Sequence, residues 1–222
     1  MTHSLAGAAL SRAGLNRTTP LATATLVLAA NAPDIDAVAA IAGSYTSLAV
    51  RRGITHGPLA MVLLPLLVTA GVLLYDRGRR RRKQGDRPPV RPLPTLGLAT
   101  LGVLTHPALD WMNTYGIRLL APFSERWFYG DALFIIDPWV WLALAAPLVG
   151  VWFVTRRQKL LWSIVAVGAT ALLLLAPMVP LAARVLWLAG VAGIVALVFR
   201  YRRLLVYAPA QAEALARRGA RV

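Results

Sequence analysis

The chain has 222 residues, of which 58% are hydrophobic and 15% are charged, and its mean hydropathy is +0.60. A water-soluble domain of this size needs a more polar exterior, so the composition predicts an integral membrane protein with one compact helical domain. Cysteine is absent, which excludes disulfide bonds and thiolate metal sites.

The N-terminal region contains two short apolar segments, Leu5–Ala13 and Pro20–Ala32, joined by the polar sequence GLNRTT. At 1.5 Å per residue each helix would be about 14–20 Å long, shorter than the roughly 30 Å hydrocarbon core of a bilayer. We therefore predict a short helical hairpin that returns the chain to its starting level. Pro33 predicts that the second helix ends just before it.

Longer apolar stretches follow, and we predict five full membrane spans at Pro58–Tyr75, Leu93–Leu109, Pro138–Val154, Leu160–Ala176 and Leu181–Phe199. Backbone exposed to lipid must satisfy its own hydrogen bonds, so each span should be a helix. The predicted fold class is thus all-α, a polytopic membrane helical bundle of about five full spans plus the N-terminal hairpin.

The net charge of +15 is unevenly distributed, with eight of the 24 lysines and arginines in the segment 76–91. This segment and two further basic clusters, at 156–159 and 200–203, fall on one side of the predicted topology, as expected for cytoplasmic loops. Anionic lipid headgroups are a predicted secondary contact. A nucleic-acid-binding arm is the less favoured interpretation, so no nucleic-acid partner is expected.

All three histidines follow a threonine, and all three fall at the predicted outer ends of these elements, beside carboxylates. The groups that the topology brings to the non-cytoplasmic surface are His3, Asp34, Asp36, His56, His106 and Asp110. Ionisable groups at membrane depth are costly and are usually paired or functional. Histidine and carboxylate without cysteine suit a divalent metal ion, with zinc first and manganese or iron as alternatives. On a helix, His106 and Asp110 share one face and could hold the same ion.

Several motifs also resemble those of a known family: Thr2-His3, PDID at 33–36, RGITHG at 52–57 and HPALDWMNTYGIRLLAPFSERWFYGDALFIIDPW at 106–139. The chain resembles the bacterial membrane-bound metal-dependent hydrolases, some of which are LexA-regulated inner-membrane proteins. The resemblance covers most of residues 1–155 and implies a hydrolytic activity without naming its substrate. Where the family commonly has His-Arg-Gly-x-Thr-His-Ser, this chain has Arg51 and Gly57 in place of the first histidine and the serine. This difference argues against a second metal that would need the missing histidine.

The sequence therefore predicts a metal-dependent hydrolase at the outer membrane–water interface, with the site facing the periplasm or exterior. The predicted metal ligands are His3, Asp34, His56, His106 and Asp110. Asp36 is the predicted general base, or else a partner that orients a ligating histidine. The predicted substrate-binding residues are Arg51, Arg52, Asn113, Tyr115 and Arg118, since guanidinium groups suit phosphates and carboxylates. A lipid or lipid-linked phosphoester or ester is the expected substrate because the site would lie at headgroup level.

Two alternatives stay open at this point. The metal could be structural and clamp the hairpin to the bundle. The segment 111–139 is favoured as an aromatic belt at the headgroups, and the alternative is a lid that brings Asn113, Tyr115 and Arg118 over the metal. A metal or proton transporter fits less well, because the spans within 160–199 contain few charges. The predicted domains are a metal-site membrane domain at 1–155, an additional transmembrane helical pair at 156–203 and a basic tail at 204–222. The sequence does not define an oligomeric state.

Overall fold

The computed structural model describes residues 2–43, 51–82, 88–134, 137–152, 156–177, 179–197 and 199–200. Within these ranges the regular secondary structure is helical, which confirms the all-α part of the predicted fold class. Its α-helices are α1 Thr2–Arg12, α2 Ala22–Asn31, α3 Pro58–Arg82, α4 Pro92–Trp111, α5 Pro138–Trp152, α6 Arg156–Leu175 and α7 Leu181–Leu197. Short 3₁₀ helices lie at Leu15–Arg17, Ala32–Ala42 and Ile54–His56. The predicted tail at 204–222 lies outside the described residues.

The helices fall into two compact units, Met1–Asp137 and Pro138–Val222. The first contains α1 to α4 and every residue predicted from sequence for the metal site. The second contains α5 to α7. The functional division predicted at residue 155 rests on the family resemblance and stays a prediction.

One helix in the described part of the chain, Pro58–Arg79, is long and apolar enough to cross a membrane by length and composition. Two shorter apolar helices, Ala166–Leu175 and Leu181–Leu197, lie inside predicted spans. The topology of five full spans therefore stays a prediction. The basic cluster at 156–159, predicted as a loop, instead forms the first turn of α6. Lysine, arginine and glutamine are good helix formers, so the apolar helix extends back through them.

The N-terminal hairpin of α1 and α2 packs closely on itself and on α4 through small residues. A Cβ atom on Gly7 would lie 2.7 Å from the carbonyl oxygen of Leu26, and one on Gly102 would lie 2.7 Å from the Cβ of Ala29. Small residues at such positions let helix backbones approach each other. Two buried clusters flank these contacts: a tip-side core of Ala22, Leu26 and Leu98, and a centre-side core of Ala29, Ala99 and Val103.

The hairpin extends further along α4 than the length of its two apolar segments predicted. At its tip, residues 13–21, the Thr19 hydroxyl accepts a hydrogen bond of 2.9 Å from the backbone N–H of Arg91, which precedes α4. At its open end, the carbonyl of Ala30 contacts His106 in the last turns of α4. A helix of 20 residues is about 30 Å long, so the hairpin follows α4 over most of a bilayer thickness. The turns and 3₁₀ residues of the tip supply the additional length.

The second unit contains a polar connection between α6 and α7. Arg184, near the start of α7, donates hydrogen bonds of 3.1 and 3.0 Å to the carbonyls of Val179 and Ala176. The indole of Trp187 donates to the hydroxyl of Thr170 over 3.0 Å. The arginine thereby donates to backbone carbonyls just beyond the C-terminal end of α6, where no further helical N–H groups follow.

Candidate metal centre

The histidines and carboxylates of the predicted site lie together at the open end of the hairpin. Asp110, in the last turn of α4, is at the middle of the cluster. Its Oδ1 lies 3.4 Å from His3 Nε2, and its Oδ2 lies 3.3 Å from His56 Nε2 and 3.6 Å from His106 Nε2. Asp34, from the 3₁₀ helix after α2, places Oδ1 3.6 Å from His106 Nε2. The folded chain thus brings together residues that are up to 107 positions apart in sequence.

The spacing within this cluster fits a metal ion better than direct hydrogen bonds. Hydrogen bonds of this kind are about 2.7–3.2 Å long. Two ligands that are each about 2.1 Å from a tetrahedral ion lie about 3.4 Å apart. The Nε2 atoms of His56 and His106 are buried and have no hydrogen-bond partner in the described part of the chain. Leaving a buried polar atom unpaired costs about 1–3 kcal/mol, a cost that coordination to an ion would remove.

Two overlapping groups of ligand atoms could hold an ion, and the atoms of each group lie within 4.8 Å of one another. One group is His3, His106 and Asp110, and the other is Asp34, His56 and His106. His106 belongs to both groups, so the five residues form one continuous cluster. Its donors are imidazole nitrogens and carboxylate oxygens only, a set that suits a borderline divalent ion.

A hydrogen bond on the other side of the ring determines which nitrogen of His106 faces the cluster. Its Nδ1 lies 2.6 Å from the carbonyl oxygen of Ala30. A carbonyl can only accept, so Nδ1 carries the proton and donates it, and Nε2 is left with its lone pair towards Asp110. Metal-ligating histidines characteristically have this arrangement. Helix α4 runs without interruption through Pro107, which keeps His106 and Asp110 on the same helical face.

His56 is oriented by the Thr55 hydroxyl, to which the sequence pattern assigned no role. Its Nδ1 lies 2.9 Å from the Thr55 hydroxyl, which lies 3.0 Å from Asp36 Oδ2. A carboxylate can only accept, so the Thr55 hydroxyl donates its hydrogen bond to Asp36. The same hydroxyl oxygen accepts a hydrogen bond from the Nδ1–H of His56. The Thr-His pairs in the sequence were the available signal, but they are not equivalent. Thr105, before His106, donates instead to the carbonyl of Gly102 within its own helix.

Asp36 and Asp110 lie on opposite sides of the His56 ring. Asp36 Oδ2 is 3.5 Å from Nδ1, whereas Asp110 Oδ2 is 3.3 Å from Nε2. Asp36 is buried and also accepts the backbone N–H of Arg52 over 2.8 Å. Asp36 was predicted to be either a general base or a partner that orients a histidine. Its position favours the orienting role, because the His56 ring lies between Asp36 and the rest of the cluster.

Arg52, predicted to bind substrate, contacts the cluster itself. Its Nε lies 3.1 Å from Asp110 Oδ2, and its Nη1 donates to Asn113 Oδ1 over 2.8 Å and to the carbonyl of Gly116 over 2.9 Å. Its backbone has a φ of 54°, a left-handed conformation that side-chain-bearing residues rarely adopt and that is often found at functional sites. Burial lowers the pKa of Arg52, and the nearby Asp110 carboxylate opposes that change. Its charge therefore lies directly beside the central carboxylate.

Two other predicted substrate-binding residues support Arg52. Asn113 Oδ1 accepts the Arg52 Nη1 bond together with the backbone N–H groups of Tyr115 and Gly116. The guanidinium carbon of Arg52 lies 4.7 Å from the centre of the Tyr115 ring, a cation–π contact. The turn after α4 therefore serves to hold this arginine against Asp110.

The last two predicted substrate-binding residues, Arg51 and Arg118, lie in a separate set of contacts. Arg118 Nη1 pairs with Glu125 over 2.7 Å, and its Nη2 donates to the carbonyl of Arg51 over 3.2 Å. Its guanidinium carbon also lies 5.4 Å from the ring centre of Trp127. The segment after α4 is thus folded by arginine–aromatic contacts, and the exposed Arg51 side chain lies beside it.

We expect Thr55→Val to weaken divalent-metal affinity about 10–100-fold, because the Nδ1 proton of His56 would lose its acceptor. Thr55→Ser, which keeps the hydroxyl, should restore the affinity. Thr105→Val is the matched control and should leave it unchanged, because that hydroxyl binds only its own helix. Titration of zinc into apo-protein measures the affinity, and nitrogen-15 NMR of the imidazoles reports the His56 tautomer. Equal losses in Thr55→Val and Thr105→Val would contradict the orienting role.

Comparison with known proteins places this cluster in a family context. The sequence profile described as the YdjM inner membrane protein matches residues 1–183. The chain is 26% identical over 123 residues to the uncharacterized protein YfhP of Bacillus subtilis (strain 168), an alignment that covers 55% of this chain and about a third (34%) of that protein's length. No solved structure is significantly similar to the chain. Because the profile match covers the whole metal cluster and most of the sequence, the chain belongs to the YdjM inner membrane protein family.

Proposed function

We propose that the protein is a metal-dependent hydrolase of the inner membrane that acts at the outer membrane–water interface. The observation that carries this proposal is the pair of buried Nε2 atoms, on His56 and His106, that face Asp110 without hydrogen-bond partners among the described residues. Their ring protons are held on the opposite side, so both atoms have a lone pair available for an ion. Membership of an inner membrane protein family supports the inner-membrane part of this proposal.

The residues that would hold the ion are His3, Asp34, His56, His106 and Asp110, and zinc is the first choice for this donor set. When bound, a divalent ion supplies Lewis acidity that activates water and polarises the scissile group. Asp34 is the accessible member, with 42% of its side chain exposed, whereas the side chains of His56 and His106 are fully buried. Water and substrate would therefore approach on the Asp34 side.

The other residues of the site would hold this constellation in place. Thr55 and Asp36 keep the Nδ1 proton of His56 away from the cluster, and the carbonyl of Ala30 does the same for His106. Arg52 fixes Asp110 and places a positive charge where an anionic transition state would develop. A preorganised site of this kind needs little rearrangement during reaction.

The substrate class that we propose is a lipid or lipid-linked phosphoester or ester. Exposed apolar side chains lie next to site residues in sequence: Ile35 beside Asp34 is 62% exposed, and Ile54 beside Thr55 is 59% exposed. Exposed apolar surface next to a polar site suits an amphipathic substrate, whose polar group reaches the cluster while its chain remains in lipid. The polar group would be the part that is hydrolysed.

A structural metal is the second candidate function, and one feature of the cluster favours it. His3 and Asp34 belong to the two ends of the N-terminal hairpin, whereas His106 and Asp110 belong to α4. An ion bound by both pairs would tie the hairpin to α4 and stabilise the fold without any reaction.

We expect the purified wild-type protein to bind about one divalent ion per chain and Asp110→Asn to lose most of it, because the central carboxylate would no longer be charged. Asp131→Asn is the matched control: Asp131 is exposed and belongs to neither ligand group. Elemental analysis by plasma mass spectrometry measures the metal content. Equal metal content in both variants would remove Asp110 from the ligand set.

If the protein is an enzyme, we expect the wild type to hydrolyse at least one member of a panel of phosphodiesters, phospholipids and carboxylic esters in detergent micelles. The rate of hydrolysis by His106→Ala should fall to the background rate. If the metal is instead structural, the protein should show no turnover on any substrate. Removing the ion with a chelator should then only lower the melting temperature. Measuring hydrolysis and thermal unfolding on the same preparations separates the two functions. Metal-loaded wild type without turnover on the whole panel, but with a large loss of stability on chelation, would favour the clamp.

We also propose five membrane spans, with the basic segments in the cytoplasm and the metal cluster outside. A reporter fused after Arg82 should then read cytoplasmic, and one fused near Glu125 should read external, because basic clusters are retained on the cytoplasmic side. Paired fusions to alkaline phosphatase and green fluorescent protein measure both positions. The opposite readings would move the cluster to the cytoplasmic face and remove the argument for an external substrate.

A further inference from the structure

Three segments that are distant in sequence meet at the end of α4 opposite the metal cluster. The hairpin tip is bound there through the hydrogen bond from the Arg91 N–H to Thr19. The C-terminal part of α3 is bound to the same stretch, because Asp76 Oδ2 accepts the N–H of Val90 over 3.2 Å. Leu15 of the tip packs against the tip-side core, which fixes the tip on α4.

Exposed arginines from all three segments lie at this end of the unit. Arg12 lies at the end of α1, Arg17 in the tip and Arg77 in α3, and Arg91 immediately precedes α4. Asp76 is the only acid in the described residues of these segments, and it already accepts the backbone N–H of Val90. The surface, which we call the basic tip surface, is therefore strongly cationic.

Exposed apolar side chains lie beside the basic tip surface. Leu74 and Tyr75, in the turn before Arg77, are 63% and 62% exposed, and Leu93, two residues after Arg91, is 79% exposed. In an inner membrane protein, exposed apolar side chains of this kind suit contact with lipid. Arginines next to them would then lie at the level of the lipid headgroups, with their aliphatic parts along the apolar surface.

We propose that the basic tip surface, formed by Arg12, Arg17, Arg77 and Arg91, binds the phosphate-bearing headgroup of an anionic phospholipid. Guanidinium groups donate paired hydrogen bonds to phosphate oxygens, and basic surfaces between membrane helices bind such headgroups. The sequence predicted a lipid contact for the segment 76–91 alone, and the structure adds the arginines of the hairpin. Lipid is favoured over a nucleic acid because apolar side chains border the arginines. This site is about 30 Å from the metal cluster, the length of α4, and does not rest on the proposed hydrolase function.

The test uses the full-length protein in mixed vesicles of phosphatidylcholine and phosphatidylglycerol, followed by native mass spectrometry of the lipids that remain bound. Each arginine near an anionic surface contributes about fivefold in affinity. The double variant Arg12→Gln/Arg17→Gln should therefore retain phosphatidylglycerol about 25-fold more weakly, while phosphatidylcholine retention is unchanged. Arg126→Gln, an exposed arginine of the segment after α4, is the control and should retain phosphatidylglycerol like wild type.

Unchanged phosphatidylglycerol retention in the double variant would overturn the proposal, as would an equal loss in Arg126→Gln. Tighter binding of an RNA oligonucleotide than of phosphatidylglycerol vesicles would overturn it in favour of a nucleic-acid surface. The single variant Arg17→Gln, in the exposed tip, should bind phosphatidylglycerol about fivefold more weakly. It replaces the double variant in the test if the double variant does not fold. Normal metal content in these variants would show that the lipid surface and the metal cluster are independent.

Discussion

The buried carboxylate of Asp110 is the group around which the first unit is organised. A carboxylate with only 3% of its residue surface exposed is costly unless cations or hydrogen-bond donors surround it. This one has the guanidinium of Arg52 beside it, and three imidazoles from α1, the turn at 52–56 and α4 turn a ring nitrogen towards it. The nitrogens of His56 and His106 carry lone pairs and not protons, so a shared cation would supply the rest of the compensation. Each of these elements must be in place before the carboxylate is stabilised, so the folding of the hairpin and the assembly of the cluster depend on the same interaction.

The close packing of the hairpin on α4 follows from this requirement. His3 can reach Asp110 only if the hairpin lies against α4. Gly7 lets α1 approach α2, and Gly102 lets α4 approach α2, because neither residue has a side chain that would keep the backbones apart. The left-handed backbone at Arg52 has a similar origin. It lets one residue donate its N–H to Asp36 and its guanidinium to Asp110, which lie on opposite sides of His56.

Much of this arrangement could be predicted from the sequence, because it depends on regular features. Apolar segments predicted the helices, and the predicted alternation of membrane sides placed three histidines and three carboxylates at one end, where the structure has them together. The roles of Thr55 and Arg52 could not be predicted, because they depend on the direction of single side chains in an irregular turn. The reach of the hairpin was underestimated because its tip contains 3₁₀ and turn residues, whose length a count of apolar residues omits.

The charges of the cluster bear on how many metal ions it could hold, the question raised by Arg51 at the position where the family resemblance implies a histidine. The carboxylates of Asp34, Asp36 and Asp110 together carry three negative charges, and the guanidinium of Arg52 carries one positive charge, which leaves a net charge of −2 with neutral histidines. One divalent ion would neutralise this total, whereas a second would leave an excess of two positive charges in a poorly solvated site. An exposed arginine at position 51 supplies no lone pair and adds further positive charge near the cluster. The donor set and the charge balance therefore both favour a centre with a single ion, in which Arg52 is the electrostatic partner of Asp110.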